Sequence, residues 1–475
     1  MLPPDVLGWL SASAALWPAL AFALLGLHAL LREVPGERGE PAVARLVNGA
    51  LALSLLASLG SAGALAARGG APLDAALGEW FRAGGYAFEL GVRVDALSAT
   101  LSALSSLVVL LVGRFSVNYL HRERGFTRFF LLLALFAAGM QVLVLADSID
   151  LLFVGWELVG LTSVLLVAFF HERAVPVRAS LRVLATYRLC DVGLLGGAVL
   201  LHHAYGSARW ADAFTPGAVA AVGAPAATAV GLALLAATLG KSAQLPVGGW
   251  LARAMEGPTP SSALFYGALS VHAGVYLLLR ISPVLAHAPL VRGAVVAVGL
   301  MTALHAGLVG RVQADVKSQL AYATMAQVGL MFAEVGAGLH TLALVHLVAH
   351  ALLRCHQLLR APSALLEAQA LRRAHAGRPL PQTGLEHLLP APLQRRLWTL
   401  ASARFGLDTL LERWLAEPVV RAGQALERLE LRWLETLSGW TPRAPLPSLP
   451  CLDAAADAAA PVDAPPSSPP RGAAS

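Results

Sequence analysis

Glu157 lies within the apolar stretch "LLFVGWELVGLTSVLLVAFF", and Lys241 closes another long apolar run at "TLGKSAQLPVGGW". The chain carries 35 lysines and arginines, and Lys241 and Lys317 are its only lysines. An ionised side chain at the bilayer centre costs about 2.5–3.5 kcal/mol on insertion scales, so its presence needs a reason. Lysine can give up its proton when desolvated, whereas a guanidinium stays charged. A lysine beside a carboxylate that moves towards or away from it can hold and then release a proton, a relay closed to arginine. A purely structural Glu–Lys pair is the plainer alternative.

Further polar residues interrupt apolar runs. Arg188 and Asp191, three apart in "TYRLCDVGLL", share a helical face and can pair, either as a structural ion pair or as part of a proton path. Pro246, with Gly248 and Gly249 beside it, should interrupt the helix that Lys241 ends. Freed backbone groups at membrane depth are tolerated only where protein buries them or they line a wet cavity. His272 falls in mid-span, as a contact between helices or a relay group. Asp315 and Lys317 open a later run, where Lys317 can also snorkel to the interface. His346 and His350 have the i, i+4 spacing of a metal pair and are followed one turn on by Arg354, but no HExxH glutamate accompanies them. No metal site is expected.

The elements that must position these residues are membrane spans. Of 475 residues, 57% are hydrophobic and 13% charged, against about 25% charged in soluble domains. About eleven runs are long enough to span a bilayer: 5–31, 43–67, 96–118, 127–146, 149–170, 181–203, 222–245, 259–280, 291–311, 318–337 and 341–361. The first is too long for a signal-peptide core and is expected to be retained. The fold class is therefore all-α and polytopic. Arginines such as Arg122, Arg124 and Arg173 cluster after odd-numbered runs, which puts the N-terminus outside and the tail inside. Their scatter, without interleaved aromatics, excludes a nucleic-acid surface despite a net charge of +6. The three cysteines are far apart and support neither a disulfide framework nor an iron–sulfur site. We divide the chain into N-terminal helices and a connecting segment (1–95), a core (96–361), an amphipathic helical tail (362–440) and a Pro/Ala/Ser-rich disordered end (441–475).

The stretches "FVGWELVGLTSVLL", "LGKSAQLPVGGWLARAMEGPTPSSAL", "DVKSQLAYATMAQVGLMF" and "HLVAHALLR" resemble the proton-conducting membrane subunits of NADH:quinone oxidoreductase (complex I), with most similarity to chain L (chain 5). The wider group includes Mrp-type antiporter subunits and the membrane subunit of inorganic-carbon transporters. The resemblance, over about residues 90–360, implies an antiporter-like fold with a discontinuous helix. It makes Glu157 and Lys241 the family's input pair, and assigns Lys317, His346 and His350 to a central polar axis. It also implies partner subunits, a place in the cytoplasmic (inner) membrane, and no cofactor in this chain, with redox chemistry elsewhere.

Departures accompany the resemblance. Tyr266 in "SALFYGA" occupies the family's histidine position and His272 comes six residues later, while Arg354 replaces a usual lysine. Chain L normally continues into further spans, so this chain is expected to be truncated at its C-terminal side, with an output half-channel altered or supplied by a partner. The function expected is proton translocation within an oxidoreductase-like complex. The alternative is the membrane subunit of a proton-driven bicarbonate or carbon dioxide transporter working with a cytoplasmic zinc protein. A conduction-dead scaffold is disfavoured by the retained titratable groups.

Overall fold

A computed structural model describes residues 3–31, 36–84, 86–361, 390–411, 413–414 and 417–438. Two N-terminal helices, α1 (Pro4–Leu31) and α2 (Glu40–Ala67), precede an antiparallel hairpin of β1 (Leu73–Ala83) and β2 (Tyr86–Val94). Then come α3 (Ala96–Tyr119), α4 (Phe126–Leu145), α5 (Ile149–Val167), the long α6 (Ala174–Tyr205) and α7 (Ala224–Lys241). Beyond a short α8 (Trp250–Arg253) and the interrupted span Thr259–Arg280, whose last part is α9 (Ala273–Arg280), lie α10 (Pro289–Gly310), α11 (Val316–Gly336) and α12 (His340–Arg360).

Ten of the described helices are long and apolar enough to cross a membrane. The eleventh expected span, α11, has 21 residues but falls outside that set, because Lys317, Gln319, Gln327 and Glu334 dilute its apolar content. Within the all-α fold, the connecting segment of 1–95 holds this one hairpin among the described residues. Its register pairs Leu73 with Val94 and Ala83 with Tyr86. Asp95 closes the hairpin and caps α3, its carboxylate accepting from Ser98 N at 2.9 Å.

Span Thr259–Arg280 lies at the centre, wholly enclosed by the other helices. Peripheral helices keep leucine rows outward, such as Leu300, Met301 and Leu304 on α10, as lipid-facing surfaces require. Buried hydroxyls join the first helices: Ser58 and Ser106 Oγ are 2.9 Å apart, and Gln141 Nε2 donates to Ser106 Oγ at 2.7 Å. Such interhelical hydrogen bonds contribute where lipid offers no hydrophobic drive.

The chain divides into two compact units at Asp408. The first ends with α13 (Ala391–Ser402) and a turn at 404–408, and Asp408 pairs with Arg253 at 3.0 Å and Arg404 at 2.9 Å. The second contains α14 (Glu417–Ser438), with Leu426, Leu429, Trp433 and Leu437 exposed. Of the expected tail, 362–389 and the Pro/Ala/Ser-rich end 441–475 lie outside the described residues.

Candidate functional site: a polar chain across two helix breaks

α7 ends at Lys241 itself, five residues before Pro246, and the chain turns irregularly until α8. Its freed groups find partners: Trp250 Nε1 donates to Gly240 O at 3.0 Å and Leu245 N to Thr302 Oγ1 at 3.0 Å. The central span breaks as well. A π-helix runs over Ser262–Ala268, then a 3-10 turn over Ser270–His272. The two interruptions touch, with Ser242 Oγ donating to Val271 O at 2.6 Å.

Lys241 is 1% exposed. Its Nζ donates to Trp156 O at 2.9 Å and lies 4.9 Å from the Trp156 ring centre and 4.4 Å from that of Tyr187. A cation over aromatic faces is held electrostatically, here at a site closed to bulk solvent. α5 makes room through Gly160, where a Cβ would stand 2.8 Å from Nζ. Glu157, the neighbour of Trp156, pairs with Arg188 instead of Lys241. Arg188 also reaches Asp191 Oδ2 at 3.0 Å, as the spacing predicts, and Asp191 Oδ1 accepts from Trp156 Nε1 at 2.6 Å. The expected direct contact of Glu157 with Lys241 is thus replaced by a four-residue cluster. Arg188 reaches in from a half-exposed position and takes the carboxylate first.

On the far side of the breaks, His272 Nε2 and His350 Nδ1 are 3.0 Å apart. His346 follows, its ring centre 6.3 Å from that of His350. Its Nδ1 is 2.9 Å from Glu334 Oε1 and its Nε2 3.0 Å from Gln327 Oε1. Arg354 lies one turn beyond His350 on α12, buried, with Nη1 donating to Gln357 Oε1 at 2.9 Å. Tyr266 is buried against Trp250, its Oη 3.0 Å from Ser163 Oγ.

The structure does not bring Lys317 to the histidines. It sits in the first turn of α11, ten residues before Gln327, which at 1.5 Å rise per residue is about 15 Å along the axis. Glu256 and Asp315 are the carboxylates that act on it electrostatically. Asp315 is the helix N-cap, accepting from Ser318 N at 2.8 Å. Glu334, Gln327, Trp156, Tyr187 and Gly160 were missed in the sequence. Glu334 had the same signal as Glu157, a carboxylate inside an apolar run.

Titratable groups strung through discontinuous helices define a class: polytopic helical membrane proteins with an antiporter-like fold. Residues 146–383 match the family model described as NADH:quinone oxidoreductase/Mrp antiporter, TM, and residues 80–130 match that of NADH-ubiquinone oxidoreductase (complex I), chain 5 N-terminus. The chain belongs to this NADH:quinone oxidoreductase/Mrp antiporter family. It is 39% identical over 277 residues to NADH-quinone oxidoreductase subunit L of Mycobacterium tuberculosis, covering 58% of this chain and 43% of that one. It is 35% identical over 285 residues to NADH-ubiquinone oxidoreductase chain 5 of Cryptococcus neoformans, covering 60% and 43%. The chain thus spans less than half the length of these curated relatives. In fold it is similar to a chain of the Mrp complex from Dietzia sp. DQ12-45-1b, with a TM-score of 0.63, 24% identity, and coverage of 84% and 45%.

Proposed function

We propose that the chain is a proton-translocating membrane subunit of an assembly related to NADH:quinone oxidoreductase, and that the cluster around Lys241 takes protons in and the histidine line carries them on. The observation that carries this reading is a lysine 1% exposed, bound to a backbone carbonyl at the start of a helix break. A lysine there can exchange its proton, and an arginine cannot.

A proton arriving on Glu157 neutralises it and weakens its pair with Arg188, which keeps Asp191. The changed field at Lys241 lets the amine pass its proton towards the break, and neutral imidazoles carry it further by accepting at one nitrogen and donating from the other. His272 and His350 have the spacing for one such exchange, and Glu334 and Gln327 hold His346 for the next. The chain is a multi-pass subunit of the cytoplasmic membrane with its N-terminus outside. Arg122, Arg124 and Arg173 lie at the ends of α3 and α5 remote from the hairpin, which supports that orientation. Other subunits supply the driving reaction and the rest of the path.

The test is Lys241→Arg in reconstituted vesicles, with an interior pH dye reporting uptake. Flux should fall at least tenfold while size-exclusion behaviour and helix content stay unchanged. Wild-type flux in a folded variant overturns the relay.

A further inference from the structure

The hairpin face holds a cavity of about 330 Å³ between β2, the start of α5 and the chain just beyond α6. Glu89, Asp147, Asp150 and Asp212 line it with His202 and Arg209. Three of the four carboxylates are satisfied. Asp150 Oδ2 is 2.8 Å from His202 Nε2 and accepts from Tyr86 Oη at 3.2 Å, Asp212 Oδ2 accepts from Ser207 Oγ at 3.0 Å, and Glu89 Oε2 pairs with Arg209 Nη1 at 2.6 Å.

Asp147 is different. It is 2% exposed, and among the described residues neither of its carboxylate oxygens receives a hydrogen bond. Arg209 Nη2 stands 3.2 Å from Oδ2, an ion pair without a hydrogen bond. A buried acceptor left unsatisfied costs about 1–3 kcal/mol, more when charged, so an oxygen of this kind calls for a ligand. The group is also held in place. Asp147 N donates to Gly91 O at 3.3 Å, Trp210 N donates to Asp147 O at 2.9 Å, and a side chain on Gly91 would overlap the carboxylate. A cavity of this size admits several waters beside it.

We propose that this cavity is a proton-binding site, in which the Asp147 carboxylate takes one proton from the water on the hairpin face and Arg209 is its counter-ion. A hydronium ion transfers its proton to a carboxylate oxygen and remains as water. The neutral acid gains a donor, and Arg209 is left with Glu89 alone. The charged groups facing Asp147 come from each packed element: Asp74 on β1, which Arg93 of β2 binds at 2.8 Å, Glu89 on β2, and Arg209 beyond α6. Burial holds the carboxyl above its usual range, at about 6; Arg209 opposes this, and Asp74 and Glu89 add to it. The site lies at the foot of the helix that carries Glu157, but it rests on none of the residues of the Lys241 cluster.

The test is infrared difference spectroscopy of the full chain in lipid nanodiscs, following the carboxylic acid C=O band against pH. We expect a band titrating at about pH 6 that Asp147→Asn removes, and in Arg209→Gln its midpoint should rise by about one pH unit or more, since the counter-ion that favoured ionisation is gone. A folded Asp147→Asn protein that keeps every band in this range overturns the proposal. If that variant does not fold, an unmoved midpoint in Arg209→Gln overturns it. Excess sodium chloride should leave the midpoint where choline chloride leaves it, and a lower midpoint in sodium alone would mean that a metal cation, not a proton, is the ligand.

Discussion

Lys241 Nζ is bound to the carbonyl oxygen of Trp156 at 2.9 Å, so the amine is tied to the backbone of the residue immediately before Glu157. Movement of α5 therefore moves carboxylate and amine together. Gly160, one turn further along, leaves the gap into which the amine fits. Gly160→Ala should fold normally, since alanine favours a helix by about 1 kcal/mol over glycine. Its methyl group must push Nζ off the carbonyl, and proton flux in vesicles should fall about tenfold. Unaltered flux would show that this placement is immaterial.

Arg188 serves two carboxylates, Glu157 and Asp191. Asp191 keeps the bond from Trp156 Nε1 when Arg188 is removed, so the loss should fall mainly on Glu157. Arg188→Gln is expected to slow flux several-fold, and Glu157→Gln more strongly. The double variant should be no slower than Glu157→Gln alone, the non-additivity expected of residues sharing one interaction. Strict additivity of the two effects, measured by dye-reported flux, would uncouple them.

Glu334 fixes His346 from the neighbouring helix at 2.9 Å. Glu334→Gln keeps an acceptor there but replaces a carboxylate contact by a weaker, neutral one. Flux should drop about tenfold, the effect of about 1.4 kcal/mol on the transfer step. Wild-type flux in the folded variant would assign Glu334 a structural role only.

Asp95 lies outside the spans, capping α3 and pairing with Arg93 and Arg280. Burial alone would raise its carboxyl, yet the Arg280 pair, the Ser98 cap and Arg93 hold it down to about 2 from its ordinary 3.8. A carboxylate lowered by folding stabilises above its unfolded value, and that stabilisation is lost as pH falls through the folded one. Asp95→Asn should thus cost about 2 kcal/mol at neutral pH, a fall of a few degrees in melting temperature. The gap to wild type should close between about pH 4 and pH 2. A gap constant over that window would refute the electrostatic account.

Much of this architecture was legible because hydrocarbon thickness dictates span length, and because an isolated charge in an apolar run stands out. Glu157 and Lys241 came from those two facts, and the Arg188–Asp191 pairing from the three-residue spacing on one helical face. The hairpin was legible too: "YAFELGVRV" is rich in β-formers and follows a Gly-Gly dipeptide, a signal outweighed by the surrounding helical runs. Other features were not. Which carboxylate Arg188 would take, and that Lys317 would stay at a helix end, depend on the stacking of helices distant in sequence. Gly160 is informative only once the amine is seen beside it.

The wide turn over Ser262–Ala268 also sets rotational phase. A π-turn accommodates about one residue more than an α-turn, worth roughly 100° around the helix axis. Were that stretch to tighten into ordinary α-helix, everything after it would swivel by about a quarter of a circle. His272 would then leave His350, with no side chain altered. The central span can therefore act as a rotary contact, whose winding decides whether the two imidazoles meet.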